Sequence, residues 1–210
     1  MLYPRVNMKY YSLVMVAAIS FVFALQLAFG ITEYFILSSS EVISKPYTLL
    51  TSIFLHANLL HLGYNMFALA LFGLVLESVV GEKKFLAVFF STGLAASIAA
   101  SVFYPASLGA SGAVFGVTGS LVVLRPRMTV FALGVPMPLI VAGVVWLLLD
   151  LAGVFFPGDV ANTAHIAGLF AGIAIGLTWL KKFREPFRKS KKKKIMSEKE
   201  LQEWEKAWMK

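Results

Sequence analysis

The sequence contains no cysteine. That excludes a disulfide scaffold, a thiolate zinc site and a cysteine nucleophile. Charge is scarce as well: Asp, Glu, Lys and Arg make up 14% of the 210 residues, against about a quarter in a soluble domain that needs a wetted exterior. Histidine occurs at three positions only, His56, His61 and His165. What fills the chain is apolar: 59% of residues are hydrophobic and the mean hydropathy is +0.78. An ordinary soluble domain is excluded.

The net charge of +8 is unevenly placed. Residues 1–180 carry seven Lys or Arg against six Asp or Glu, whereas residues 181–210 carry twelve against five. A nearly neutral apolar body with a basic tail is the profile of a multi-span membrane protein with a cytoplasmic tail. A nucleic-acid partner is not needed to explain the charge. No cleavable signal peptide is expected, because Arg5 and Lys9 lead into an apolar run too long for an h-region.

Charge-free stretches locate the spans, because an ionised side chain at bilayer mid-depth is costly. Tyr10 to Thr32 holds the first, and a second helix is clear from about Asn58. Phe85 to Leu124 is too long for one crossing, and the breakers Tyr104-Pro105-Ala106-Ser107-Leu108-Gly109 divide it in two. Gly134, Pro136 and Pro138 delay the fifth helix, and Val160 to Leu180 supplies the last. The expected spans are 11–30, 58–80, 85–103, 111–124, 138–156 and 161–180. The fold class is an all-α polytopic membrane protein, a bundle of six helices. With cytoplasmic termini, the inner side collects Arg5, Lys9, Lys83, Lys84, Arg125, Arg127 and the tail, and the outer side only Lys45; the positive-inside rule selects that orientation.

The fourth helix is short. Ser111 to Arg125 rises about 21 Å at 1.5 Å per residue, and the hydrocarbon core is about 30 Å thick. Ser111 is therefore expected about 9 Å below the outer interface. The same count from Lys181 puts His165 within about 3 Å of that level. A serine and a histidine share one depth.

Ionisable groups at membrane depth usually face a polar cavity, whereas a histidine on an apolar face is otherwise a packing residue. Gly112, Gly116 and Gly119 on the fourth helix, and Gly168, Gly172 and Gly176 on the sixth, have the spacing that lets two helix backbones approach closely. Ser111 opens its helix after Gly109, where backbone N–H groups are unpaired and the dipole is positive, a setting able to stabilise an oxyanion. A neutral His165 could accept the serine proton. His56-Ala57-Asn58-Leu59-Leu60-His61 adds polar groups at the start of the second helix, and His61 and Asn65 share a helical face. They are either a polar pair gluing helices or donors to a developing oxyanion. The histidines have no neighbouring Asp, Glu or Cys in sequence and no His-Glu-x-x-His spacing, so neither a metal nor another cofactor is expected.

His-x-x-x-Asn at His61–Asn65, Gly-x-Ser-Gly at Gly109–Gly112, Ala-His-x-x-Gly-x-x-x-Gly at Ala164–Gly172, and Leu76-Glu77 followed by Gly81 together resemble the rhomboid intramembrane serine proteases over roughly residues 45–180. The resemblance implies a minimal six-span form in which Ser111 is the nucleophile and His165 its base. It implies a Ser–His dyad with no acidic third member. His61, Asn65 and the Ser111 N–H would form the oxyanion site, supported by Gly109, Gly112, Phe115, Gly168 and His56. Substrates would be single-span transmembrane proteins, cut near the outer face. Asp150, the acid of the fifth helix, has no evident reach to His165 and could equally pair helices. Two departures from the family pattern stand out: Pro46-Tyr47-Thr48 replaces the usual aromatic-Arg pair of the first outer loop, and Phe115 replaces a tyrosine that packs on the base, which keeps the stacking and loses the hydroxyl.

Lys191-Lys192-Lys193-Lys194 reads as a topological anchor for anionic lipid. Beyond it, Ser197 and Glu200 fit a capping box, and Leu201, Trp204 and Trp208 suggest an amphipathic interfacial helix over 197–209. Two other readings are carried: a catalytically silent rhomboid-like protein that binds membrane clients, and a small transporter, which predicts half-related repeats that the sequence does not show.

Overall fold

The computed structural model describes residues 10–156, 158, 160–183 and 198–208. Arg5, Lys9, the Lys191–Lys194 run and Ser197 lie outside the described residues.

Helix α1 (Tyr11–Phe29) starts under a carboxylate. Glu77, fully buried, accepts from the backbone N–H groups of Tyr11 and Ser12 and from the Ser12 hydroxyl, at 2.8–2.9 Å. These are the orphan donors of a helix N-terminus, where a negative charge is favoured. Gly30, in the left-handed region at φ +62°, ends the helix.

The connection to the next long helix contains α2 (Thr32–Phe35), β1 (Leu37–Ser38), α3 (Thr48–Thr51) and a single 3-10 turn, Ser52–Phe54. Helix α4 (Leu59–Val80) follows, N-capped by the Asn58 side chain, which accepts from His61 N–H at 2.8 Å. Gly81 then turns the chain directly into α5 (Glu82–Phe103). Strand β2 (Ala106–Ser107) pairs antiparallel with β1, so the breaker cluster Tyr104–Gly109 is tied to the first loop. Helix α6 (Ser111–Leu124) leads into a hairpin of β3 (Thr129–Ala132) and β4 (Val135–Pro138). Leu133 and Gly134 both have positive φ at its two-residue turn, as the tight turns that match strand twist require. Helix α7 (Leu139–Phe155), helix α8 (Asn162–Phe183) and a tail helix α9 (Glu198–Trp208) complete the described chain.

The architecture is an all-α membrane bundle with two very short antiparallel strand pairs. The strand pairs were not expected from sequence; both form where Pro and Gly clusters interrupt apolar runs and leave backbone groups that must be paired. Among the described residues four helices, α1, α4, α5 and α8, are long and apolar enough to cross a membrane, while α6 and α7 are apolar but shorter, at 14 and 17 residues.

Helix α6 is the hub. Ten of its residues are buried, so its environment is protein on most sides and its short length exposes little backbone to lipid. Its contact with α8 is backbone-close: a Cβ on Gly168 would collide with the Gly112 carbonyl, and one on Gly172 with the Gly116 carbonyl. Polar groups inside are returned to nearby carbonyls: Thr92 donates to Val88 O, Thr118 to Val114 O, and Ser120 across to Gly172 O. Large apolar side chains such as Phe21, Leu27 and Phe170 point outward instead.

Candidate active site

Ser111 is the first residue of α6, and the first intrahelical bond there runs from Val114 N–H to Ala110 O. The N–H groups of Ser111 to Ala113 thus precede the helical ladder. Gly109, two residues earlier, has φ +123° and donates to Ser52 O at 2.9 Å. A Cβ on Gly109 would lie 2.7 Å from the His61 ring. Glycine is required there twice over, by the backbone angle and by the imidazole against it.

His165 lies one turn into α8, and its Nε2 is 2.8 Å from Ser111 Oγ. Phe115, one turn below Ser111 on α6, stacks on the imidazole with centroids 4.3 Å apart and planes 8° from parallel. The ring is therefore held on one face by an aromatic and at one edge by a hydroxyl. Gly112 and Gly168 act one layer behind, by permitting the approach of α6 and α8 that brings the two side chains within hydrogen-bond distance.

His61 and Asn65 line the same cavity as Ser111 and His165, a space of about 910 Å³. Asn65 is buried and its Nδ2 donates to the His61 carbonyl at 2.9 Å. The cavity continues between α4 and α7 as far as Trp146 and Phe131, and Phe72 and Trp146 meet edge to face across it, centroids 6.0 Å apart.

His56 does not line the cavity. It packs edge-on behind His61, centroids 5.0 Å apart, and is 1% exposed. Its backbone is clamped by Gln26 of α1, whose amide accepts from His56 N–H and donates to His56 O, both at 3.0 Å. Burial, and secondarily the neighbouring His61, push the His56 imidazole down to about 4. The support expected of His56 is thus indirect, through the ring of His61.

One expectation is overturned. Asp150 does reach His165: its Oδ1 lies 2.9 Å from His165 Nδ1. The reason is the α7–α8 hairpin. Asp150 sits five residues before the end of α7 and His165 three residues after the start of α8, which puts both about one turn from the same connection. No periodicity along the chain links the two, because they stand on different helices. Gln26 was missed as well, because a glutamine in an apolar helix carries no signal of which backbone it will clamp.

Buried and half-buried polar side chains converging on a cavity inside an all-α apolar bundle, with a serine and a histidine in hydrogen-bond contact, define a polytopic membrane protein with a serine–histidine site. A family model, the Rhomboid domain, matches residues 44–182. The chain is 34% identical over 158 residues to the rhomboid protease GluP of Bacillus subtilis, covering 71% of this chain and 29% of that protein. It is 32% identical over 159 residues to the mitochondrial rhomboid protein 1 of Saccharomyces cerevisiae, covering 69% and 44%. It is 29% identical over 164 residues to the human mitochondrial presenilin-associated rhomboid-like protein, covering 72% and 43%. This chain belongs to the rhomboid family of integral membrane proteins. It spans less than half the length of these relatives.

Proposed function

We propose that this protein is an intramembrane serine endopeptidase that hydrolyses peptide bonds of single-span transmembrane substrates. The observation that carries this reading is the 2.8 Å contact between His165 Nε2 and Ser111 Oγ at a helix N-terminus inside an apolar bundle. In that reading, the Ser111 hydroxyl proton passes to His165 Nε2 as Oγ bonds to the substrate carbonyl carbon and the π electrons move to the carbonyl oxygen. The Ser111 N–H, Asn65 and His61 donate to that oxygen as its charge develops. Collapse breaks the C–N bond, with His165 returning the proton to the leaving amine, and water then hydrolyses the acyl-enzyme by the same route in reverse. The termini are cytoplasmic and the site lies near the outer face, a reading supported by the distribution of Lys and Arg. The Lys-rich tail is attracted to anionic headgroups.

The test is cleavage of a model single-span substrate by protein reconstituted in liposomes. Wild type is expected to cut, and Ser111→Ala and His165→Ala to be inactive. Fluorophosphonate is expected to label wild type at Ser111 only. Cleavage that survives Ser111→Ala sinks the assignment, and a folded wild type that neither cuts nor labels points to a silent client-binding member of the family.

A further inference from the structure

Helix α7 is poorly anchored, and the way it is anchored is informative. Its buried residues are Leu139, Ala142, Gly143 and Asp150. Three lie in the first turn and a half, beside the β3–β4 hairpin. Beyond Gly143, Asp150 is the sole buried residue of the helix, at 6% exposed, while Val144, Leu148, Leu149, Leu151 and Val154 are exposed. In this half Trp146 packs half-buried on Phe72 and Gly153 lies against Asn162, but the one buried side chain is the acid. The carboxylate is spent on one partner: Oδ1 meets His165 Nδ1 at 2.9 Å, and Oδ2 is buried without a protein hydrogen bond. A carboxylate so placed is costly unless it is paired, so the bond to His165 is what holds it there.

The same bond acts on the base. An imidazole whose Nε2 must accept the Ser111 proton needs its own hydrogen on Nδ1, and the hydrogen-bond partner at Nδ1 decides which nitrogen carries it. A carboxylate oxygen can only accept. We propose that Asp150 is a positioning residue that holds His165 as the Nδ1–H tautomer with Nε2 directed at Ser111, and that this bond also seats the C-terminal half of α7. The proposal rests on the Ser111–His165 reading above. During attack the Ser111 proton moves to Nε2, the hydrogen on Nδ1 stays on the ring and continues to donate to Asp150, and the carboxylate is never protonated. The base is then correctly oriented only while α7 is seated, which ties the catalytic group to a helix that borders the cavity.

The experiment compares wild type, Asp150→Asn, Asp150→Glu and Asp150→Ala in liposomes, with cleavage kinetics, hydrogen exchange over 144–155 and histidine 15N spectra of the wild type. Asp150→Asn is expected to lower kcat roughly 100-fold or more with KM changed less than about threefold, and Asp150→Glu to recover part of the loss. Asn can still donate its amide to His165 Nδ1, so seating is read in Asp150→Ala, where exchange over 144–155 is expected to rise while α6 and the rest of α8 stay protected. The wild-type spectrum, which needs no variant to fold, is expected to show the His165 hydrogen on Nδ1. An Nε2–H tautomer in the wild type, or unchanged kcat in folded Asp150→Asn, overturns the positioning role. Unchanged exchange over 144–155 in folded Asp150→Ala overturns the seating role. Ser111→Ala separates the two readings: if it stays active, the serine mechanism itself has failed, whereas inactive Ser111→Ala beside fully active Asp150→Asn sinks only the role of Asp150.

Discussion

Phe115 covers one face of the His165 imidazole, with ring centroids 4.3 Å apart and planes within 8° of parallel. Stacking of this kind contributes about 1 kcal/mol beyond burial, and here it restricts tilting of the ring away from Ser111. Phe115→Ala is therefore expected to lower kcat about fivefold to tenfold, and Phe115→Tyr to leave it within about twofold, since the stacking face is the same. Steady-state kinetics on one substrate decide it; equal rates for Phe115→Ala and wild type would show that packing elsewhere fixes the ring.

Asn65 is buried on the cavity wall and already donates to the His61 carbonyl, which leaves its amide a second hydrogen for a developing oxyanion. Loss of one such donor costs about 10²- to 10³-fold in kcat. Asn65→Ala is expected to show that loss with little change in KM. A rise in KM at constant kcat would instead assign Asn65 to ground-state binding.

The α6–α8 contact should tolerate nothing at Gly172, whose Cβ would run into the Gly116 carbonyl. Overpacking of this kind costs about 1–3 kcal/mol. Gly172→Val is expected to lower the unfolding midpoint in detergent and to abolish fluorophosphonate labelling, because the two helices that carry Ser111 and His165 are forced apart. Gly63→Ala is the control: that position has open space around it, so helix propensity alone acts and stability is expected to rise by up to about 1 kcal/mol.

Glu77 is fully buried and accepts three hydrogen bonds from the start of α1. Glu77→Gln removes the charge opposite the helix dipole and turns an amide hydrogen towards those donors. A loss of about 2 kcal/mol in unfolding stability is expected, read by denaturant titration. Cleavage kinetics of the folded fraction are expected to stay the same, because Glu77 is not among the cavity-lining residues.

His56 carries a pH signature. Its imidazole titrates at about 4 when folded against about 6.5 unfolded, because burial disfavours the cation. The sign follows: above about pH 6.5 the group is neutral in both states and costs nothing, and between about 6.5 and about 4 the unfolded chain binds the proton and stability falls. The slope cannot exceed about 1.4 kcal/mol per pH unit for one group. Thermal unfolding of wild type and His56→Gln across that window is expected to show a shallower fall in the variant, and parallel curves would remove His56 as the cause.

Much of this protein was legible in the linear chain. Scarcity of charge, its location and the apolar runs define an all-α membrane bundle, since the bilayer penalises ionised groups and unpaired backbone wherever they fall. The Gly-x-x-x-Gly spacing on two segments announced their close approach, because it depends only on helical periodicity. Ser111, His165, His61 and Asn65 stood out as the few polar groups kept in apolar surroundings, and the structure gathers all four at one cavity.

What only the tertiary structure decided is which side chain meets which across elements. Asp150 and His165 are separated by an interhelical turn, and no periodicity links residues on two different helices; the α7–α8 hairpin does, to 2.9 Å. The clamp of Gln26 on His56, 30 residues away, is of the same kind, as are the strand pairs that satisfy backbone at the Pro and Gly breaks. Sequence patterns encode what one element does in its solvent, lipid or water. Hydrogen bonds between elements depend on rotations and turn geometries set by the whole bundle, and so they appear only once it is packed.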